Sequence, residues 1–590
     1  MSINAGRGSY RVMAASAAVV VLTVAGAVSA LLAQNAPPAA PAPQAADAAA
    51  GPWLGLPLPG PATGNIIDFS KGELPAIPPP DAKAAPELEG RKATQYIRDV
   101  VAFSYASRDA GDKTWGRLAG TRWAEATVDY VAKHFRDAGL QDVRKETVPF
   151  TAPMTIATDW KVTVLAVPEL GVGSRDIQLQ SAYPMGVRAG GAGPRAGGRG
   201  AQPAGAGGPA APVTPPPTSW SVTAPVVFVG AGTPADLVGR DLRGKIAIVQ
   251  SEPAPASFFG TAGGSSQRLQ QAGAVGVLAT YSAPGNMQLF AGGCSNAPCF
   301  NLGGEDGEFL NALLARASAA NVLDKIRISL SLTHGTIGGP GHVVVGKVAG
   351  VSSAENLVVS AHSDAWFAGA NDNASGVAAL IALARHYAKG PKPRHDMYFF
   401  LSPGHHSPTG GMRRLVELYP NVAPSNIMAI NLEHIAQQNT YKSYFSSRGM
   451  GRATSKYGNA YAETLPVNWE SPGRELSGGP MTQTYLRVLQ DAAKRTHYTA
   501  VNRISPYPVA EPQAFVDAGG TAIQDVETSI WFHTSGDTPE AISEAGMQRA
   551  MFFYKDILDQ SDKLTRAQMR AGAAPAAPRR GGGGGDGDGS

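Results

Sequence analysis

Cysteine is nearly absent from this chain: its 590 residues include two, Cys294 and Cys299. So few exclude a disulfide-built scaffold, and with no histidine close by in sequence they do not suggest a structural zinc site. With four residues between them, they read either as a local disulfide, as export would favour, or as two free thiols in a loop. A basic stripe interleaved with aromatics is also missing and the net charge is only +4, so nucleic acid is not an expected partner. Beyond residue 33 no segment is continuously apolar enough to span a membrane.

Glycine (70) and proline (46) are plentiful and partly gathered in low-complexity runs. The length exceeds one ordinary core and calls for two or three domains. A basic start, an apolar run and an Ala-x-Ala-like site near Val28-Ser29-Ala30 mark residues 1–33 as a secretory signal or an uncleaved anchor. The chain is therefore expected to be exported, periplasmic or secreted, with a membrane span only if that segment stays in place. Residues 34–88 read as a Pro/Ala-rich linker, 188–217 as a floppy Gly/Pro-rich loop and 566–590 as a disordered tail.

Between these tracts the pattern is regular. Thr121 to Ala138 carries an apolar stripe at Ala124, Val128, Val131 and Phe135, with Gly139 placed to end the helix. Residues 143–150 alternate like an edge strand. From Asn356 onward, strands at 356–361, 397–401 and 427–432 flank a helix at 377–389. That alternation predicts an α/β fold, a mostly parallel mixed sheet flanked by helices. Residues 225–332 instead show short apolar strands, such as Lys245 to Val249 and Gly276 to Ala279, around a helix at 265–272.

Open α/β sheets bind ligands beyond the carboxyl ends of their strands. His362 follows one strand, His405 and His406 a second, Glu433 a third, and His533 an apolar Ser-Ile-Trp run read as a strand. That placement argues that these side chains meet. Imidazole nitrogen and carboxylate oxygen are zinc donors, and a hydrolytic centre keeps a position open for water. His434 should point away from Glu433 if the segment is extended. His134, His334, His342, His386, His395 and His497 read as ordinary surface or core histidines.

Ala361 to Leu380, AHSDAWFAGANDNASGVAAL, resembles the metal-binding core of the zinc aminopeptidases of metallopeptidase family twenty-eight. The resemblance implies that His362 and Asp372 bind metal, Asp372 bridging two ions, while Asp364 orients the ligand shell. It sets His405 and His406 where the family has a Glu-Glu pair, so that His405 stands as the base and His406 as a ligand. Glu433 takes the place of an Asp ligand, and His533, in FHTSGDTPE, that of the last histidine. The stretches DLRGKIAIVQ and QQAGAVGVLATY resemble the protease-associated module. The implied order is a peptidase-like part over 89–160, that insertion over 161–335, and the metal-site part over 336–565.

Replacing two glutamates by histidines leaves Asp372 and Glu433 as the carboxylates of the ligand set. Less neutralisation weakens retention of a second ion but makes bound water more acidic. An imidazole near ~6.5 can accept a proton, although an adjacent dication lowers its basicity. The expected activity is a zinc-dependent exopeptidase, of aminopeptidase kind, acting on peptides or small amides with one or two Zn2+ per chain. Manganese or cobalt suits the same donors. The lost glutamate base supports a catalytically inactive, peptidase-like binding protein of the transferrin-receptor kind, or a one-metal hydrolase or cyclase, as alternatives.

Overall fold

The computed structural model describes residues 78–148, 154–171, 175–187, 219–251, 265–282, 285–294, 297–337, 339–406, 411–437, 475–498, 504–505, 511–526 and 531–573. The expected signal segment, the 188–217 loop and the last residues of the tail lie outside them. Among the described residues no helix is long and apolar enough to cross a membrane.

The chain opens with α1 (Gly90–Asp109), α2 (Arg122–Ala138) and β1 (Gln141–Val148). It then builds β2 (Met154–Val164), β3 (Ile177–Gln178), β4 (Tyr183–Pro184), β5 (Gly186–Val187), β6 (Ser219–Phe228) and β7 (Ile246–Ser251). There follow α3 (Ser265–Gln271), β8 (Gly276–Tyr281), β9 (Gly293–Cys294), β10 (Cys299–Leu302), α4 (Gly304–Ala319) and β11 (Arg327–Ile337). It returns through β12 (Gly341–Val348), β13 (Ser352–His362), α5 (Gly376–Lys389), β14 (His395–Ser402), α6 (Gly411–Leu418) and β15 (Asn426–Leu432). The last elements are β16 (Glu475–Gly479), α7 (Gln483–Thr496), β17 (Ile504–Ser505), α8 (Pro512–Asp517), β18 (Ala522–Val526), α9 (Glu544–Ser561) and α10 (Arg566–Met569).

Among the described residues the strands form two eight-stranded sheets and a separate β5–β9 pair. One runs β1-β12-β14-β13-β15-β18-β16-β17, the other β3-β2-β11-β6-β7-β8-β10-β4. In the first, β14, β13, β15 and β18 are mutually parallel, while β12 and β16 join them antiparallel. The fold is thus the mixed α/β kind, and its parallel centre is buried on both faces. Successive side chains of a strand point to opposite faces. Phe399 accordingly packs on Phe135 of α2, while its neighbour Phe400 joins Met412 and Leu415 of α6 and Phe515 of α8. Helix α2 starts at Thr121, whose Oγ1 accepts from the Ala124 N–H, and stops at Gly139 with φ +89°. Its four expected apolar positions are fully buried. Helix α5 is buried along all of its first turns, from Gly376 to Ala384, as a helix packed on every side must be.

The second sheet is an insertion between β1 and β12, which pair antiparallel with each other. Its borders differ from the expected 161–335. Pairing of β2 with β11 runs from Met154 opposite Ile337 to Val164 opposite Ile328, and this long-range ladder has no local sequence signal. Cys294 and Cys299 are disulfide-bonded.

Three further expectations are corrected. The linker does not extend to residue 88: Leu88 is fully buried, and Glu87 pairs with Arg385 at 2.9 Å and Lys389 at 2.6 Å. The tail does not begin at 566, because α10 is held by a Thr565–Gln568 capping box and buries Met569. Trp531 to His533, finally, are a turn rather than a strand end, while Ser529 and Ile530 lie outside the described residues.

Candidate metal centre

The ends of β13, β14 and β15 lie side by side, and the loops leaving them are stitched together by buried polar groups. Asn373 donates from Nδ2 to the Leu432 carbonyl at 2.9 Å, and its Oδ1 accepts from the Gly376 and His434 N–H groups at 3.1 and 3.3 Å. A Cβ at Gly376 would lie 2.3 Å from the Leu432 carbonyl oxygen, so this close approach needs glycine. From the other side Arg117, fully buried, donates to the carbonyls of Ser363 (3.1 Å), Ala368 (2.7 Å) and Gly369 (3.0 Å). Burial lowers its pKa to about 10, against the pull of Asp372, Asp537 and Asp364. The guanidinium thereby fixes the turn before Asp372.

Asp372 is the centre of the cluster. Its Oδ1 lies 3.4 Å from His362 Nε2 and 3.0 Å from His434 Nε2. Its Oδ2 lies 3.1 Å from both His406 Nε2 and His533 Nε2. Burial would raise this carboxyl, but His406 and His434 outweigh it and hold the pKa well below the usual carboxylate range. Behind it, Asp537 accepts from the Asn371 and Asp372 N–H groups at 2.8 and 3.0 Å. Burial is the main force that raises the Asp537 pKa to about 7.

Glu433 is oriented by its other oxygen. Asn431 and Gln524 donate to Oε2 at 3.1 and 2.5 Å. That leaves Oε1 facing His405 Nε2 at 3.4 Å, His434 Nε2 at 3.8 Å and His362 Nε2 at 3.9 Å. Asp364 does not face the cluster the same way. Its two oxygens accept from the His405 and His406 N–H groups at 3.0 and 2.8 Å, anchoring the loop that carries these two imidazoles. Burial works against ionising Asp364, yet His362 and His406 keep its pKa below the ordinary value.

The residues suit a divalent cation. His362 Nε2 is fully buried with no hydrogen-bond partner, and carboxylate oxygens stand before it. Burial, then the neighbouring His405, lowers its pKa and favours the neutral ring that a metal requires. Close donor groups include His362, Glu433 and His434 on one side of Asp372 and Asp372, His406 and His533 on the other. The structure thus brings His362, Asp364, Asp372, His405, His406, Glu433 and His533 to one place.

Residues 343–555 match the model of Peptidase family M28. Two solved structures share the architecture. The Peptidase M28 precursor from Shewanella amazonensis is 17% identical with a TM-score of 0.56, over 84% of this chain and 99% of that one. The zinc aminopeptidase BSAP from Bacillus subtilis is 16% identical with a TM-score of 0.51, over 80% of this chain and 94% of that one. No curated protein matches by sequence. The matched stretch carries His362, Asp372, His406, Glu433 and His533. That places the chain with hydrolases of the metallopeptidase type.

Sequence reasoning missed four residues of the M28 domain and its surroundings. His434 turns inward because its backbone is left-handed, φ +49°, not extended. Glu511, at the start of α8, brings a further buried carboxyl group to the cluster, with Oε1 3.9 Å from His405 Nδ1. A Cβ at Gly411 would fall 1.8 Å from that oxygen, so glycine there makes room for it. Burial raises the Glu511 pKa to about 8, His405 opposing and Glu433 adding to the shift. Asp537 read only as a helix start, and Arg117 carried no motif. Neither Glu511 nor Arg117 has a sequence signal; the clue to Asp537 was its place four residues after His533.

Proposed function

We propose that this chain is an exported, zinc-dependent exopeptidase of aminopeptidase kind, acting on peptides or small amides. One observation carries the reading: four imidazoles surround Asp372, His434 and His362 at 3.0 and 3.4 Å from Oδ1 and His406 and His533 at 3.1 Å from Oδ2, with His406 also 3.4 Å from Oδ1, as around a carboxylate that two cations would share. His362, Asp372, His406, Glu433 and His533 are the residues that would hold the ions. A divalent cation there supplies Lewis-acid polarisation of a scissile carbonyl and acidifies water.

The chain's own groups provide the rest. Asp364 fixes the backbone of residues 405 and 406, and Asp537 fixes that of Asp372. His405, its side chain 4% exposed and flanked by Glu433 and Glu511, is the group assigned to take a proton from the attacking water. The inserted sheet braces the His533 turn: the Phe290 N–H donates to the His533 carbonyl at 2.9 Å, and Leu289 bridges to Thr534. Phe290 also stacks on Trp366 at 3.7 Å. Such contacts suit a protease-associated module that shapes access to the centre. The Cys294–Cys299 bridge supports an oxidising, extracytoplasmic location.

The test is metal analysis of the purified protein paired with aminoacyl-arylamide hydrolysis. Stoichiometric metal with chelator-sensitive release of free amino acid is the expected result. Metal-free protein without turnover would favour the peptide-binding alternative, for which the missing glutamate at 405 is the supporting observation.

A further inference from the structure

The two sides of Asp372 are not equivalent. On the Oδ1 side, four donor atoms converge: His362 Nε2, His434 Nε2, Asp372 Oδ1 and Glu433 Oε1. Asp372 Oδ1 lies 3.0 Å from His434 and 3.4 Å from His362, and Glu433 Oε1 lies 3.8 and 3.9 Å from the same two nitrogens. Donors ~2.0–2.1 Å from zinc at the corners of a tetrahedron are roughly 3.3 Å apart, a spacing that these four distances bracket. On the Oδ2 side, among the described residues, three donors converge: Asp372, His406 and His533, with both imidazoles at 3.1 Å.

His434 is held to this geometry by its surroundings. Its left-handed backbone donates to Asn373 Oδ1 at 3.3 Å, and the next residue, Ile435, donates to Ser375 Oγ at 3.2 Å. The Ile435 carbonyl accepts from Asn371 Nδ2 at 3.2 Å. Three bonds thus tie the 434–435 turn to the loop that carries Asp372. The imidazole itself is 2% exposed and packs against Phe532, ring centroids 5.1 Å apart.

Structural zinc sites use four protein ligands, whereas catalytic ones use three and leave a position for water or substrate. We infer that His434 is a fourth protein ligand closing the position beside His362 and Glu433, and that the substrate-facing cation is the one held by Asp372, His406 and His533. The first cation then serves to lock together the ends of β13 and β15 and the Asp372 loop. This rests on the metal-centre reading above and adds to it a division of labour between the two positions.

The experiment is stepwise loading of the metal-free full chain with cobalt(II), followed by absorption spectroscopy and chelator competition. The parent protein should take up one cation with the intense visible bands of four-coordinate cobalt, insensitive to an added amino-acid hydroxamate. A second cation should give a spectrum that the hydroxamate changes. His434→Gln should weaken the first cation by about 100-fold against the chelator, and His533→Ala should lose only the second. Both cations retained with parent affinity in folded His434→Gln would overturn the assignment. A hydroxamate-sensitive first cation in the parent would overturn it without recourse to any variant. A parent chain that binds no cobalt would instead remove the metal-centre reading on which it stands.

Discussion

The segment from Ala361 to Leu380 and the pair His405–His406 sit a few ångströms apart, yet they are built differently. The first is bonded from every direction: Arg117 from the N-terminal part, Asn373 across two strand ends, Asp537 beneath Asp372. The second is held by its backbone to Asp364, while its side chains face carboxylates brought from elsewhere, Glu433 and Glu511. Where the sequence follows the M28 pattern, the structure overdetermines the position of each donor. At 405 and 406 the facing carboxyl groups come from other elements, Glu433 after β15 and Glu511 at the start of α8, about a hundred residues later in the chain.

Breaking the braced segment should have the largest effect. Arg117→Met removes a donor from three carbonyls and from Ser104, and should cost about 3–5 kcal/mol by chemical denaturation. An effect below about 1 kcal/mol would show that the turn holds without it. Next comes His405→Ala, expected to lower kcat by about 100–1000-fold with cation content unchanged. Loss of metal instead would make residue 405 a ligand and not a proton acceptor.

Glu511→Gln sharpens the other half of the comparison. The Glu511 carboxyl is raised from 4.5 to about 8 in the fold. As pH climbs through that window the unfolded chain releases its proton first, so the metal-free native state loses stability. Relative to the parent, metal-free Glu511→Gln should be equally stable below pH 4.5 and more stable near pH 8 by roughly 4 kcal/mol. Parallel stability curves for the two proteins would remove the buried carboxylate from the account. The smallest effect should be Ser104→Ala, which deletes the 2.7 Å contact from Arg117 and a 3.2 Å donation to the Ala368 carbonyl and should cost about 1 kcal/mol in urea unfolding.

Much of this was legible from local pattern. The strands leading to His362, His405 and Glu433, the helix from residue 376, and α2 with its cap all follow from periodicity and turn chemistry. What stayed hidden depends on single backbone angles or distant partners. His434 was read as facing away because period-two alternation assumes an extended chain, and φ +49° breaks it. Glu511 reaches the site only because Gly411 leaves space, a relation between two loops that no local window contains. The Thr565–Gln568 capping box, by contrast, was present in the sequence and marks α10 as structured.

The central claim is a cation on either side of Asp372. Metal analysis of the mature protein, before and after exhaustive chelation and with arylamide hydrolysis followed in parallel, tests it most directly. The account predicts two divalent cations per chain, loss of turnover on chelation and recovery with added zinc. A purified, folded chain with no stoichiometric metal, unchanged by chelator or by zinc, would contradict it.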